Sequence, residues 1–205
     1  MTTRIITDPT VEPLTLAEVK THLHEDLSDA SNDALITTLI GVARQAAEHK
    51  TQRALMLQTL EQTLDAFPAA TSKNPMATIV LEMPPVVDVT SVTYTDADGS
   101  TVVLSNTLYT LDAAREPAQL VPSYAAGSWP TTQGSIAAVR VRYRAGYSTS
   151  ATAAVAQAAV PAAIRQWMLL AIGDMYERRT ASGERPAVRH DFVDGLLDRY
   201  RIWSL

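Results

Sequence analysis

The apolar residues of this chain change their spacing twice, from a helical period to an alternating one and back, and that switch restricts the fold more than any single motif. Between residues 14 and 54 the period is helical. Thr15 and Glu18 have the spacing of a capping box, in which the hydroxyl accepts from the third amide of the helix and the carboxylate reaches back to the cap amide; Leu14 and Val19 stand where a hydrophobic staple needs them. Leu16, Val19 and Leu23 follow on one face. After the polar SDASND a second helix is predicted, with Leu35, Leu39, Val42 and Ala46 as its apolar stripe.

From about residue 55 the period becomes two. Alternation is loose around Met56, Leu60 and Leu64 and clearer in TIVLE, VVDVTSVTY, STVVL, LYTLD and IAAVRVRYRAGY. The turn signals NP, PP, DADG, SN and WP separate these runs. Helical spacing returns at Pro161, placed to open a helix, with Ile164, Trp167, Met168, Ala171, Ile172 and Met175 on a broad apolar face. A final helix is predicted with Phe192, Leu196, Tyr200 and Trp203 on one side. The fold class expected is α+β: a helical body of two N-terminal and two C-terminal helices with an inserted small antiparallel β-domain of about six strands. Its expected parts are residues 1–54 (N-terminal helical), 55–147 (β-insertion), 148–160 (an alanine- and serine-rich linker, partly helical) and 161–205 (C-terminal helical, completing the body).

Composition narrows the chemistry. With 205 residues, 46% of them hydrophobic, the chain can bury one substantial core or two small ones. It has no cysteine, which excludes disulfides, thiolate metal sites and cysteine nucleophiles. A formal charge of −5 argues against a protein that coats nucleic-acid phosphates. The N-terminus has no apolar signal core, and no stretch approaches the roughly 20 apolar residues of a membrane helix, so the expectation is a cytosolic chain without membrane contact.

Several residue groups invite a chemical reading. Asp96 and Asp98 open like a calcium loop, but the glycine stands at position 4 instead of 6 and Thr107 stands where the bidentate glutamate belongs, so they read as a hairpin turn with Gly99 at positive φ and only weakly as metal ligands. His22 and His24, two apart on a helix, diverge and do not converge on a metal. Arg140, Arg142 and Arg144 alternate with Val139, Val141 and Tyr143, giving a strand one basic face that could meet phosphate and is more simply solvated. Neither a G-x-S-x-G nor a phosphate-binding glycine pattern occurs, and the paired carboxylates have no base partner, so no catalytic residue, metal or cofactor is assigned.

Read in order, LTLAEVKTHL, PPVVDVTSVTYTDADG, the WP followed by VRVRYRAGY, and VPAAIRQWMLLAIGDMYERR resemble the head-tail connector (adaptor) proteins of long-tailed bacteriophages and related particles, over about residues 13 to 180. Each motif is structural; their order and spacing carry the likeness. The resemblance implies a non-enzymatic virion protein, a helical body with a β-insertion, that forms a homo-oligomeric ring, a dodecamer, below the portal protein. It also implies that the ring meets a tail-completion or stopper protein and extends a channel through which DNA passes without sequence-specific binding. Each copy of such a ring needs two different complementary surfaces, for which the apolar helices are candidates. By resemblance the C-terminal segment docks into the portal, giving Phe192, Leu196, Tyr200 and Trp203 an interface role. The chain departs from the usual pattern in its long alanine-rich stretch at 148–160 and in ASGERPAVRH before the last helix. A different reading, a β-domain binding a small ligand or ion on a helical scaffold, rests on DADG and the Trp129 loop.

Overall fold

The computed structural model describes residues 2–178 and 191–203, apart from the side chains of Asp191 and Phe192. It is α+β, as the periodicities predict, and divides into two compact units: a β unit of Met1–Pro9 and Leu57–Gly146, and a helical unit of Thr10–Met56 and Tyr147–Leu205.

The β unit holds two antiparallel sheets. In chain order its strands are β1 (Thr2–Thr7), β2 (Gln58–Leu64), β3 (Ile79–Val80), β4 (Val86–Thr95), β5 (Thr101–Leu104), β6 (Tyr109–Asp112), β7 (Gln119–Pro122) and β8 (Val139–Ala145). The larger sheet runs β1-β2-β8-β4-β5 and the smaller β3-β7-β6. The central strand β8 shows the clean alternation that its sequence promises: Val139, Val141, Tyr143 and Ala145 are fully buried while Arg140 and Arg142 face out. Polar side chains finish the core. Gln62, wholly buried, donates to the Val80 carbonyl at 2.8 Å and accepts from the Glu82 amide at 3.1 Å, so its amide satisfies backbone groups at the end of the short β3 and just after it. The Tyr143 hydroxyl donates to the Glu82 carbonyl at 2.7 Å.

The helical unit contains α1 (Leu16–Leu23), α2 (Asp33–Thr51), α3 (Ala153–Ala159), α4 (Ala162–Glu177) and α5 (Asp191–Asp198). The capping box opens α1 as its spacing requires: the Glu18 amide donates to Thr15 Oγ1 at 3.2 Å and the Thr15 amide to Glu18 Oε2 at 2.8 Å. Leu14 and Val19 are both in the core. That core joins Ile36, Ile40, Ala43 and Ala47 of α2 to Ile164, Trp167, Met168 and Ile172 of α4 and to Leu197 of α5. No single helix among the described residues is long and apolar enough to cross a membrane.

Four expectations need correction. Residues 2–7 belong to no helical part: as TTRIIT, rich in β-branched residues, they form an edge strand paired with β2. The stretch 148–160 is more than a connector, because it forms α3 and sends Ala156 and Val160 into the helical core. Pro161 precedes α4 as its cap, with ψ at 134°, and does not occupy its first turn. The buried stripe of α2 is also shifted by one residue from the predicted one: Ile36, Ile40, Ala43 and Ala47 are buried, whereas Leu35 and Val42 are 38% and 43% exposed.

Candidate assembly surfaces

The DADG turn joins β4 to β5. Asp96 Oδ1 accepts from the Asp98 amide at 3.0 Å and the Ser100 amide at 2.8 Å, the Gly99 amide donates to the Asp96 carbonyl at 3.1 Å, and Gly99 takes φ +85°. The carboxylate is thus spent on its own loop. Among the described residues, no three of His, Asp and Glu gather in a metal-ligating group.

The basic strip on β8 divides. Arg142 donates to Glu61 at 2.8 Å on β2, and Glu61 also accepts from Arg4 of β1 at 2.6 Å. Burial alone would raise the Glu61 carboxyl, but the hydrogen bonds and charges of Arg142 and Arg4 outweigh it and hold it below the usual carboxylate range. Arg144 forms a two-pronged pair with Asp88 of β4, its Nε at 3.0 Å, and this hydrogen bonding lowers the Asp88 carboxyl. Two of the three arginines therefore neutralise carboxylates on neighbouring strands. Arg140 is exposed and has no ion pair among the described residues.

Trp129 packs within the β unit. Its ring stacks on Phe67 at 4.8 Å with planes 6° apart, and its Nε1 donates to the Ala77 carbonyl at 2.6 Å. Beside it lies an open groove of about 740 Å³, walled by Phe67, Pro68, Met76, Tyr124 and Pro130 among others, with no charged side chain in its lining. Such a wall suits apolar contact.

The C-terminal segment is fastened to the end of α2. Leu197 is fully buried, and Val193, Leu196 and Tyr200 pack half-buried around it. Arg53 Nε donates to the Tyr200 carbonyl at 2.6 Å, and the Ile202 amide to the Thr51 carbonyl at 3.0 Å. Asp194 accepts from Lys50 at 2.9 Å and from Trp167 Nε1 at 3.2 Å; the Lys50 hydrogen bond leads the interactions that lower its carboxyl. Of the four predicted docking residues, Leu196 and Tyr200 thus serve the chain's own core in part. Trp203 stands 71% exposed with the Arg201 guanidinium 5.9 Å from its ring, and the Phe192 side chain lies outside the described residues. Val193 and Leu197 repeat at helical spacing beside the stripe read from the sequence, and packing, not spacing, turns Leu197 into the core.

On α2 the usual arrangement of charge is inverted. Between Asp33 and Lys50 its only charged side chains, Arg44 and Glu48, are 5% and 4% exposed. Arg44 donates to Glu48 at 2.9 Å and to Glu12 at 2.8 Å, while Glu48 also accepts from the Leu55 amide at 2.9 Å. Burial pushes the Glu48 carboxyl up, against the lowering pull of these hydrogen bonds and of Arg44. Ala34, Leu35, Thr38, Val42 and Gln45 face out, and Thr38 turns its hydroxyl back to donate to the Ala34 carbonyl at 2.9 Å.

Together these features describe a chain whose sites are surfaces and turns, and its fold is that of chains in the necks of phage-like particles. It is similar to a chain in the neck of an empty gene transfer agent particle, computed with C6 symmetry: TM-score 0.75 and 22% identity, covering 100% of this chain and 97% of that one. A chain in the virion of the native gene transfer agent particle has the same TM-score at 21% identity, and one in the native neck, computed with C12 symmetry, 0.66 at 22%, both over 100% of this chain and 97% of theirs. Neither a family model nor a curated protein sequence matches.

Proposed function

We propose that the chain is a structural subunit of the head-tail junction of a phage-like particle: a connector that forms a ring below the portal, continues the DNA channel and offers a platform to a tail-completion or stopper protein. The observation that carries this reading is the likeness of the fold to particle-neck chains over 100% of this chain and 97% of theirs. The surfaces agree with a geometric role. Two arginines of the basic strip are neutralised by carboxylates, which suits a wall past which DNA slides better than a site that grips it. The ring is a homo-oligomer, a dodecamer by the sequence resemblance, assembled from subunits made in the cytoplasm of a bacterial host and resident in the virion.

Trp203 is the residue assigned to portal docking, because it is a large aromatic side chain held outside the core by a fastened segment. Deleting residues 190–205 would also remove Leu197 from the helical core, so Trp203→Ala is the sharper test. The variant should melt like the parent chain yet bind a portal ring at least tenfold more weakly. Equal binding by both would remove the docking role from Trp203.

A further inference from the structure

Between Asp33 and Lys50 the outward face of α2 carries no Asp, Glu, Lys or Arg, nor does the outward face of α3, and the two differ in relief. On α2, Leu35 and Val42 stand exposed along a helix that keeps its ion pair inside, whereas a solvent-facing helix normally carries its charges on the outer side. On α3, Ala153, Ala154, Val155, Ala158 and Ala159 are exposed, Val155 by 55%, and no Asp, Glu, Lys or Arg occurs anywhere between Arg144 and Arg165. One face is an aliphatic ridge and the other a shallow alanine surface. Alanine leaves room for a neighbouring helix to approach closely, and bulky side chains on one partner fill what small ones leave on the other.

We infer that these two faces meet between successive copies, the α2 ridge of one packing on the α3 surface of the next. The inference rests on the ring reading above, in which every copy needs two unlike surfaces that fit each other. A second copy is the favoured occupant because one chain supplies both halves of the contact. The chain's formal charge of −5 makes copies repel, and these faces contribute none of that charge. Two uncharged faces also come together without stranding a desolvated ion.

The test uses Val42→Glu and Val155→Glu, both at exposed positions, in the full-length chain. Self-association is followed by native mass spectrometry and negative-stain imaging, with and without the portal ring. The parent chain should form oligomers, and each variant alone should stay monomeric with an unchanged melting temperature. Mixed together, the variants should yield a heterodimer and nothing larger, because the intact α3 face of one and the intact α2 face of the other still fit. Parent-like oligomers from either variant would overturn the inference and leave the ring reading standing. A parent chain that is monomeric even with the portal would overturn both. Blocked singles that fail to pair on mixing would also reject the α2-to-α3 assignment.

Discussion

Truncating two neighbouring residues of α2 separates its two faces. Ile36 is fully buried in the helical core, and Ile36→Ala removes its side chain beyond Cβ from a packed site, which costs about 3 kcal/mol through lost transfer energy and the cavity left behind. With a urea dependence of about 2 kcal/mol per molar, the unfolding midpoint should fall by about 1.5 M. Leu35 is 38% exposed at the outer side of the same turn. Leu35→Ala gives up only part of the area term and gains a little helix propensity, for a net loss of about 1 kcal/mol and a shift near 0.5 M. The assay is urea denaturation followed by circular dichroism on each chain as a monomer. Self-association should respond in the opposite order, Leu35→Ala weakening it more than Ile36→Ala does among molecules that remain folded. Equal midpoint shifts, or a larger one for Leu35→Ala, would refute the burial phase and the assembly surface built on it.

Further outcomes follow from individual contacts. Asp96→Ala should weaken the β4–β5 hairpin by about 1 kcal/mol, since two backbone amides lose their acceptor, while millimolar calcium should leave the parent melting temperature unmoved. Glu61 has a folded pKa below its ordinary value of 4.5, so its stabilising contribution is complete above that value and is lost as the pH falls through the folded pKa. Glu61→Gln should therefore lower the urea midpoint at pH 7, and the gap to the parent chain should narrow as the pH falls below 4.5. Glu48 has the opposite sign: its raised carboxyl favours the folded state at low pH, a contribution lost as the pH rises through the folded pKa, so Glu48→Gln should flatten the alkaline side of that same transition.

What the sequence disclosed depended on which signals were local. The capping box of Thr15 and Glu18 is four residues long and folds as it reads. The alternation on β8 survives because that strand lies in the middle of its sheet and is sorted by burial into two faces. The phase of α2 and α5 was not legible. Each helix carries two adjacent apolar stripes, Leu35 and Val42 beside Ile36 and Ala43, Leu196 beside Leu197, and only tertiary packing selects which one turns inward. The pair Arg44 and Glu48 had the spacing of an ordinary solvated i,i+4 pair; buried, it is completed by Glu12, 32 residues from Arg44, and by the Leu55 amide beyond the end of the helix. β7 escaped notice because a strand of four residues gains its identity from the partners it pairs with, and β1, of ordinary length, because TTRIIT lacks a clear alternation of apolar and polar residues. Alanine, with almost no side chain to mark a period, left the bounds and the buried side of α3 unmarked within the partly helical linker.

Of the site residues, the turn role of Asp96 was readable from glycine placement alone, because turn chemistry is a matter of a few consecutive residues. The pairing of Arg142 and Arg144 was not, since Glu61 and Asp88 reach them across strands. The same holds for Trp203, whose exposure follows from how Leu197 and Tyr200 anchor the segment before it.

Whether copies of this chain close into a ring on a portal is decided by electron microscopy of the full-length chain mixed with a portal ring from the same genome. The expected image is a closed collar of cyclic symmetry stacked coaxially on the portal, with the channel open through both. Portal rings that stay bare, or that carry isolated copies with no contact between them, would contradict it.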